Sequence, residues 1–348
     1  MSVNEVSGPA RGDVEWCYEI VQDVSRTFAL TIGELEEPLS REICVGYLLC
    51  RVPDTIEDAS HIPPGEQIAL LERYLEVIDP DSGVDARAFV EDAEPWIPDD
   101  PGRDWELVAA TPRVMAAYGT LADHARDVIR PQIREMVGGM RTFVDRYADR
   151  GGLRLQTMAE LEEYCWYVAG TVGMLVTGLL ARDANPSVRS DLREVAPEFG
   201  ELLQLVNVTK DIRPDYTEEN NVYVPAELLG EHGLTAGDIG NPEAATAFVP
   251  VVRSLTAAAG ERLDAAQEWL SGMPETRGNT TAAWAVPYLL AVGTLRELEA
   301  DPARVVSEGD VKVGREEVRA LLGRFATGEY ESVGALREEM AAGPLTDR

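Results

Sequence analysis

Apolar residues recur at intervals of three and four along almost the whole chain, whereas the alternation typical of β-strands is scarce. This spacing places apolar side chains on one face of an α-helix and so predicts an all-α protein. The predicted helices cover 13–35, 40–60, 64–78, 104–120, 122–149, 155–182, 187–213, 224–230, 249–272, 280–299 and 314–323, with breaks rich in Gly, Pro and Asp between them. Since no βαβ alternation with a glycine-rich phosphate loop is visible, a Rossmann domain is not expected.

The composition favours one large folded domain. Of the 348 residues, 45% are hydrophobic, which is enough for a sizeable core and excludes disordered and collagen-like chains. We expect a flexible N-terminus over 1–12, one domain over 13–323 and a polar C-terminal tail over 324–348. Whether that tail holds a short helix stays open.

The balance of charges is strongly acidic. Asp and Glu number 62 against 31 Lys and Arg, for a net charge of −31, and only Lys210 and Lys312 are lysines. Such a surface repels phosphate backbones, so we expect no nucleic-acid partner. It also keeps proteins solvated in concentrated salt, which predicts a halophilic source, with an acidic mesophilic protein as the alternative.

The cysteines and the apolar runs indicate the compartment. Four cysteines show no CxxC pair and no histidine at metal spacing, which favours a reducing cytoplasm and argues against a thiolate zinc site. The longest apolar runs, 168–181 and 282–295, have about 14 residues each, whereas a membrane span needs about 20. The first residues have no signal-peptide core. We expect a cytoplasmic protein, and peripheral association with the inner membrane face stays open.

Two helical stripes carry paired carboxylates. Tyr47, Arg51, Asp54 and Asp58 follow at +4, +3 and +4 and share one helix face, and so do Gln204, Asn207, Asp211 and Asp215 at +3, +4 and +4. Each aspartate pair suits Mg²⁺, which proteins hold through one or two carboxylates together with substrate phosphates. Pro214 is expected to kink the end of the second helix. Most aspartate pairs with this spacing lie on a solvent-exposed acidic helix face. The two pairs in this chain instead follow apolar runs at 44–50 and 202–208, which favours a site.

A third informative stretch covers 164–175. Tyr164, Val168, Thr171 and Leu175 are predicted to share one face, and Gly170 and Gly173 permit close helix approach. The stretch is either a core helix at a crossing or the wall of an apolar pocket with one phenol.

Five sequence blocks follow one another along the chain: VSRTF at 24–28, GYLLCRVPDTIED at 46–58, YCWYVAGTVG at 164–173, the run 204–215 with VYVP at 222–225, and the run 284–295 with VKVG at 311–314. In this order they resemble the squalene/phytoene synthase family, and the similarity covers about residues 13–323. The DTIED and YCWYVAGTVG forms look closer to the squalene-forming members of the family than to the phytoene-forming members. The DDxxD block usual in prenyl elongases and terpene cyclases is not found in the expected context.

The resemblance implies a helical isoprenoid-synthase bundle around a central apolar cavity. It implies Mg²⁺-dependent head-to-head condensation of two farnesyl diphosphates to presqualene diphosphate, followed by reduction with NADPH to squalene. Phytoene or dehydrosqualene synthesis without the reduction is one alternative, and a non-catalytic isoprenoid-binding protein is another. The NADPH expectation rests on the resemblance alone, and no protein partner is indicated.

The resemblance also assigns roles to residues. The Mg²⁺ ligands would be Asp54, Asp58, Asp211 and Asp215, and Tyr164 would be the acid/base or cation-stabilising phenol. Ser25, Arg26, Phe28, Tyr47 and Arg51 would contact the substrate or its diphosphate. Val168, Val172 and Leu175 would line the pocket for the isoprenoid chain. Gln204, Asn207 and Lys210 would lie beside the second metal cluster.

Two positions depart from the family pattern. Lys210 stands where the family usually has Arg, so the bidentate guanidinium fork is lost. Asn221 stands where a basic residue generally binds diphosphate, and Arg213 is one candidate for the compensating charge.

Overall fold

The computed structural model describes residues 9–274, 278–309 and 311–347, without the side chains of Pro9, Ala10, Arg26 and Asp347. These residues contain no β-strand, only one isolated parallel bridge between Arg154 and Val222. The helices are α1 (Pro9–Val24), α2 (Arg26–Gly33), α3 (Leu39–Glu57), α4 (Pro64–Ile78), α5 (Ala86–Ala93), α6 (Arg103–Ala109), α7 (Thr111–Gly119), α8 (Asp123–Arg146), α9 (Met158–Cys165), α10 (Thr171–Leu180), α11 (Pro186–Lys210), α12 (Ile212–Glu218), α13 (Ala226–Glu231), α14 (Val249–Gly260), α15 (Leu263–Gly272), α16 (Thr281–Ala300), α17 (Arg304–Ser307), α18 (Arg315–Thr327) and α19 (Val333–Ala342). The all-α prediction is confirmed.

Several predicted helices are divided in the structure. The prediction over 64–78 coincides with α4, but the one over 13–35 is wrong at Ser25, whose side chain accepts the N–H of Phe28 at 3.2 Å and starts α2 as its N-cap. Helix α5 was not predicted. Asp85 begins it by accepting the N–H of Arg87 at 2.8 Å.

Helices are found near both ends of the described chain, one of them in the polar tail where the sequence left a short helix open. Helix α1 begins at Pro9, a residue type suited to the first helical turn, so the described residues 9–12 are part of a helix. The other residues of the expected flexible N-terminus, 1–8, lie outside the described residues. Within the polar tail, Ser332 caps α19, whose Leu336 and Met340 are buried and which packs against α16.

The chain groups into two compact units, and the division into domains stays a prediction. Unit 1 contains the described residues as far as Ala148, together with Met174–Asp183 and the described part of Pro274–Thr280. Unit 2 contains Asp149–Gly173, Ala184–Met273 and the described residues from Thr281 onward. Neither unit is one continuous segment, so no linker composition marks the division.

Each unit has its own core. In unit 1, α4 and α3 pack against α8, and α1 packs against α7. In unit 2, α14, α15 and α16 pack against α11, and Phe199, Trp269 and Trp284 form an aromatic cluster with ring centroids 4.3 to 6.5 Å apart. None of the described helices is both long enough and apolar enough to cross a membrane.

Candidate active site

The first carboxylate stripe lies on the C-terminal half of α3. Pro53 lies inside this helix and has no N–H for the carbonyl of Leu49. The buried hydroxyl of Tyr74 donates to that carbonyl at 2.8 Å instead. The helix therefore continues through Asp54 to Asp58, whose N–H donates to the carbonyl of Asp54 at 3.0 Å and ends α3 as its C-cap.

Arg51 is held between two carboxylates of unit 1. Its Nε donates to Asp104 of α6 at 2.8 Å, and its Nη1 donates to the carboxylate of Asp54 one turn away. The guanidinium is about one quarter exposed. This arrangement fixes a permanent cation beside the aspartate pair, which suits recognition of a phosphate group.

Two aromatic rings border this stripe. The ring of Phe28 in α2 stacks on Tyr47 of α3, with centroids 4.2 Å apart. Burial raises the pKa of Tyr47 to about 12, against the opposing effects of the Arg51 charge and a hydrogen bond with Ser25. Tyr47 is therefore a neutral phenol at physiological pH. The side chain of Arg26 lies outside the described residues.

The second stripe spans the junction of α11 and α12. Gln204, Asn207 and Lys210 lie on α11, which ends at Lys210 because Pro214 has no N–H for the Lys210 carbonyl. The N–H of Asp215 donates to the carbonyl of Asp211 at 2.9 Å, so the two aspartates keep helical spacing across the interruption. The ammonium of Lys210 forms an ion pair with the Asp211 carboxylate.

The surroundings of Asp215 disfavour the negative charge of its carboxylate. Burial and the nearby charges of Glu219, Asp211 and Glu218 raise the pKa of this carboxyl to about 9, although Lys210 lowers it. A buried carboxyl among other acids is stabilised in its ionised form by a bound cation.

The two aspartate pairs suit a cation that also binds oxygen atoms of a ligand. No three Asp, Glu, His or Cys side chains in the described parts of the chain converge closely enough to hold a metal ion by themselves. Each stripe offers two aspartates, which is the number that Mg²⁺ takes when phosphate oxygens and water complete its octahedron. The chemistry of these residues therefore fits Mg²⁺ bound together with a phosphorylated substrate.

Tyr164 lies near the end of α9 in unit 2. It is 2% exposed, and its hydroxyl donates to the hydroxyl of Tyr223 at 3.4 Å. The two rings lie 5.0 Å apart. The structure thus places a second phenol beside the predicted one.

A π-helical turn over Trp166–Gly170 follows α9, and it corrects the predicted shared face within 164–173. The wider turn contains one extra residue, so Thr171 is rotated relative to Tyr164. Leu175 is buried in unit 1, and its Cδ2 would lie 3.3 Å from a Cβ built on Gly46 of α3. Val168 is buried in unit 2, and Val172 is half-buried.

Small residues let α11 approach this segment closely. A Cβ on Gly173 would collide with the carbonyl oxygen of Ala196, and one on Gly170 would lie 3.2 Å from Oε1 of Glu201, both on α11. The predicted close approach at these two glycines is confirmed.

The sequence did not single out two residues of these clusters. Asp104 contacts Arg51 from 53 positions away, and Tyr223 contacts Tyr164 from 59 positions away. No local spacing connects such pairs. Asn221, in the place of the expected basic residue, is buried, and Arg213 donates to the carbonyls of Ser307 and Val306 rather than to either stripe.

Known proteins resemble this chain over most of its length. The squalene synthase of Schizosaccharomyces pombe is 25% identical over 292 residues, which are 83% of this chain and 60% of that protein. The presqualene diphosphate synthase of Botryococcus braunii is 26% identical over 321 residues, or 91% of this chain and 72% of that protein. The chain thus spans about three fifths of the length of the yeast relative.

Solved structures agree with the fold. A complex of TcSQS with the ligand BPH1237 superposes with a TM-score of 0.76 at 26% identity, over 90% of this chain and 86% of that chain. The helical isoprenoid-synthase fold expected from the sequence is therefore confirmed. The profile described as squalene/phytoene synthase matches residues 21–317, and on this match the chain belongs to the squalene/phytoene synthase family.

Proposed function

We propose that this protein condenses two farnesyl diphosphates head to head into presqualene diphosphate, and that its final product is squalene, formed with NADPH. The observation that carries the proposal is the pair of aspartate stripes, each with a cation beside it: Arg51 pairs with Asp54, and Lys210 pairs with Asp211. Both stripes lie within the sequence blocks that resemble the family.

The proposed roles follow from the environment of each side chain. In unit 1, Arg51 attracts a diphosphate and Asp54 and Asp58 hold a metal ion. In unit 2, Lys210 attracts a diphosphate and Asp211 and Asp215 hold a metal ion. When bound, Mg²⁺ neutralises diphosphate oxygens and makes pyrophosphate a better leaving group. Gln204 and Asn207 provide neutral polar groups next to the second pair, and Ser25, Phe28 and Tyr47 border the first.

The remaining groups protect the carbocations that departure of pyrophosphate generates. In unit 2, Tyr164 and Val168 are buried and Val172 is half-buried, so these side chains exclude water that would quench a cation to an alcohol. Leu175 is proposed to do the same in unit 1, where it is buried. A neutral phenol at Tyr164 stabilises positive charge through its oxygen and ring. No residue is assigned to NADPH, because the described residues contain no strand–glycine turn–helix site for a dinucleotide.

We further propose that the acidic surface is an adaptation to concentrated salt. The support is the charge balance of 62 acidic against 31 basic residues and the near absence of lysine. Self-repulsion between carboxylates is screened within about 3 Å at 1 M salt, so the fold is expected to need salt to be fully stable.

The experiment is a product assay by gas chromatography in multimolar KCl. Farnesyl and geranylgeranyl diphosphate are offered separately with Mg²⁺, each with and without NADPH, and a reaction with EDTA is the control. Squalene from farnesyl diphosphate only with NADPH and Mg²⁺ is the expected result. Presqualene diphosphate or dehydrosqualene in the presence of NADPH would contradict the proposed reduction, and phytoene from the longer substrate would contradict the proposed substrate. No pyrophosphate release from a folded protein would favour an isoprenoid-binding protein.

A further inference from the structure

The amide of Asn221 has a fixed orientation in the interior of unit 2. Its Oδ1 accepts the backbone N–H of Leu153 at 3.0 Å. The opposite end, Nδ2, donates to the hydroxyl of Tyr223 at 3.2 Å. Because a backbone N–H can only donate, the oxygen of the amide must face Leu153 and the nitrogen must face Tyr223.

The backbone around Asn221 is also fixed. The N–H of Asn221 donates to the carbonyl of Asp215 at 2.8 Å, and the N–H of Val222 donates to the carbonyl of Leu153 at 2.9 Å. The segment that carries Asn221 and Tyr223 is therefore bonded on one side to the second aspartate stripe and on the other to the loop before α9.

The oxygen of Tyr223 accepts two hydrogen bonds. One comes from Asn221, and the other comes from the hydroxyl of Tyr164 at 3.4 Å. All three side chains are at least 93% buried, where loss of a hydrogen-bond partner is costly. The hydroxyl hydrogen of Tyr164 consequently points at Tyr223, and Tyr164 presents oxygen lone pairs in other directions.

We propose that Asn221 and Tyr223 are positioning residues that orient the phenol of Tyr164 for the condensation. This inference rests on the proposed function, in which Tyr164 stabilises carbocations. Lone pairs directed toward a cation stabilise it, whereas a hydroxyl hydrogen in the same place destabilises it. Asn221 and Tyr223 act through Tyr164 and hold its hydroxyl in the favourable rotamer.

The inference explains the departure of Asn221 from the family pattern. A buried cation at this position would have no carboxylate among the hydrogen-bond partners of the Asn221 side chain, which are a backbone N–H and a phenol. A neutral amide accepts from the first and donates to the second. In this chain the position serves the neighbouring phenol instead of the diphosphate.

A double-mutant cycle tests the proposal. Tyr223→Phe is made in the wild-type chain and in the Tyr164→Phe variant, and kcat and KM for farnesyl diphosphate are measured with radiolabelled substrate. In the wild-type background, loss of one hydrogen bond is expected to lower kcat about five- to tenfold and to leave KM within about twofold. In the Tyr164→Phe background no further loss is expected, because Tyr223 acts only through Tyr164.

Tyr288→Phe is the matched control. Tyr288 is another buried tyrosine of unit 2, and its hydroxyl donates to the carbonyl of Leu263 at 3.2 Å and to Gln267 at 3.3 Å, away from Tyr164. Its variant should keep kcat within about twofold. If Tyr223→Phe does not fold, Asn221→Asp takes its place, since it keeps the acceptor for Leu153 and removes the N–H donor to Tyr223.

A second readout needs no turnover. With ¹³Cζ-labelled tyrosine, Tyr223→Phe is expected to shift the resonance of Tyr164, assigned with Tyr164→Phe, and Tyr288→Phe is expected to leave it in place. An unchanged Tyr164 resonance, no loss of kcat in Tyr223→Phe, or an equal loss in both backgrounds would overturn the positioning role while the wild-type enzyme remains active. A wild-type chain that forms no product would overturn the proposed function and this inference with it.

Discussion

Gly200 of α11 lies directly against the carbonyl oxygen of Ala169 in the π-helical turn, so close that a Cβ on Gly200 would fall well inside 3.0 Å of that oxygen. The colliding atom is backbone and cannot rotate away. Two helical segments can meet at this distance only through glycine.

Gly200→Ala is expected to lower stability and activity together. The methyl group must push α11 away from the segment that carries Tyr164, which we expect to cost about 1–3 kcal/mol in unfolding free energy. Urea unfolding monitored by circular dichroism measures it. Gly323→Ala is the control, because Gly323 lies inside α18 with no atom within 4 Å of its built Cβ, and that variant should gain about 0.5–1 kcal/mol. Equal stability of Gly200→Ala and wild type would show that the contact is not as close as described.

Asp54→Asn and Asp211→Asn are expected to reduce turnover about 100-fold or more while the protein stays folded. Each removes a charged oxygen from a pair that is proposed to hold Mg²⁺. Both side chains are partly exposed, so loss of their ion pairs should change stability by less than about 1 kcal/mol. Pyrophosphate release and thermal unfolding measure the two effects. Asp191→Asn, an exposed aspartate on α11, is the control, and near-normal rates in both site variants would contradict the metal assignment.

Arg262 is expected to matter more for stability than any one of its acidic partners. Its guanidinium is 12% exposed and lies 3.1 Å from Glu201, 3.7 Å from Glu198 and 3.9 Å from Glu162. Arg262→Ala leaves three neighbouring carboxylates without their cation and should cost about 3–5 kcal/mol. Glu198→Gln leaves two carboxylates for Arg262 and should cost about 1 kcal/mol or less. The opposite order in urea unfolding would contradict this account.

The stability difference between wild type and Glu201→Gln should depend on pH. Burial raises the pKa of Glu201 above 4.5, although Arg262 lowers it. Because the folded state binds this proton more tightly than the unfolded state, the contribution of Glu201 to stability is present below pH 4.5 and is lost as pH rises through the raised pKa. The free energy of unfolding of Glu201→Gln should therefore increase relative to that of wild type as the pH rises from 4.5 through the raised pKa. A difference that stays constant with pH would show that Glu201 has its ordinary pKa.

Thermal stability should rise with salt. With a net charge of −31, the folded chain repels itself, and the screening length falls from about 10 Å at 0.1 M to about 3 Å at 1 M salt. We expect the Tm to increase between 0.1 M and 2 M KCl. Scanning calorimetry in KCl, with sucrose of equal osmolality as the control, measures the effect. A Tm that stays constant or falls in KCl would contradict the salt adaptation.

The elements with strong local signals were predictable from the sequence. The boundaries of α4 coincide with the prediction, and Pro214 interrupts the second stripe as expected. The break at Ser25 also had a local signal, since serine is a preferred N-cap residue, but continuous apolar spacing concealed it.

The side-chain contacts between residues that are distant in the sequence were not predictable from local spacing. Asp104 contacts Arg51 only because separate segments of unit 1 pack together. Tyr223 contacts Tyr164 only because separate segments of unit 2 pack together. Burial likewise decides the pKa of Asp215, and burial follows from packing rather than from spacing.

The π-helical turn at Trp166–Gly170 makes this helix sensitive to its length. Removing one residue from the turn would restore regular α-helical bonding, yet it would also rotate the residues that follow directly, such as Val172, by about 100° relative to Tyr164. The segment should therefore accept many substitutions that preserve size but no single-residue deletion. Among homologous chains, the number of residues between the phenol and the following apolar positions should vary less than their identity.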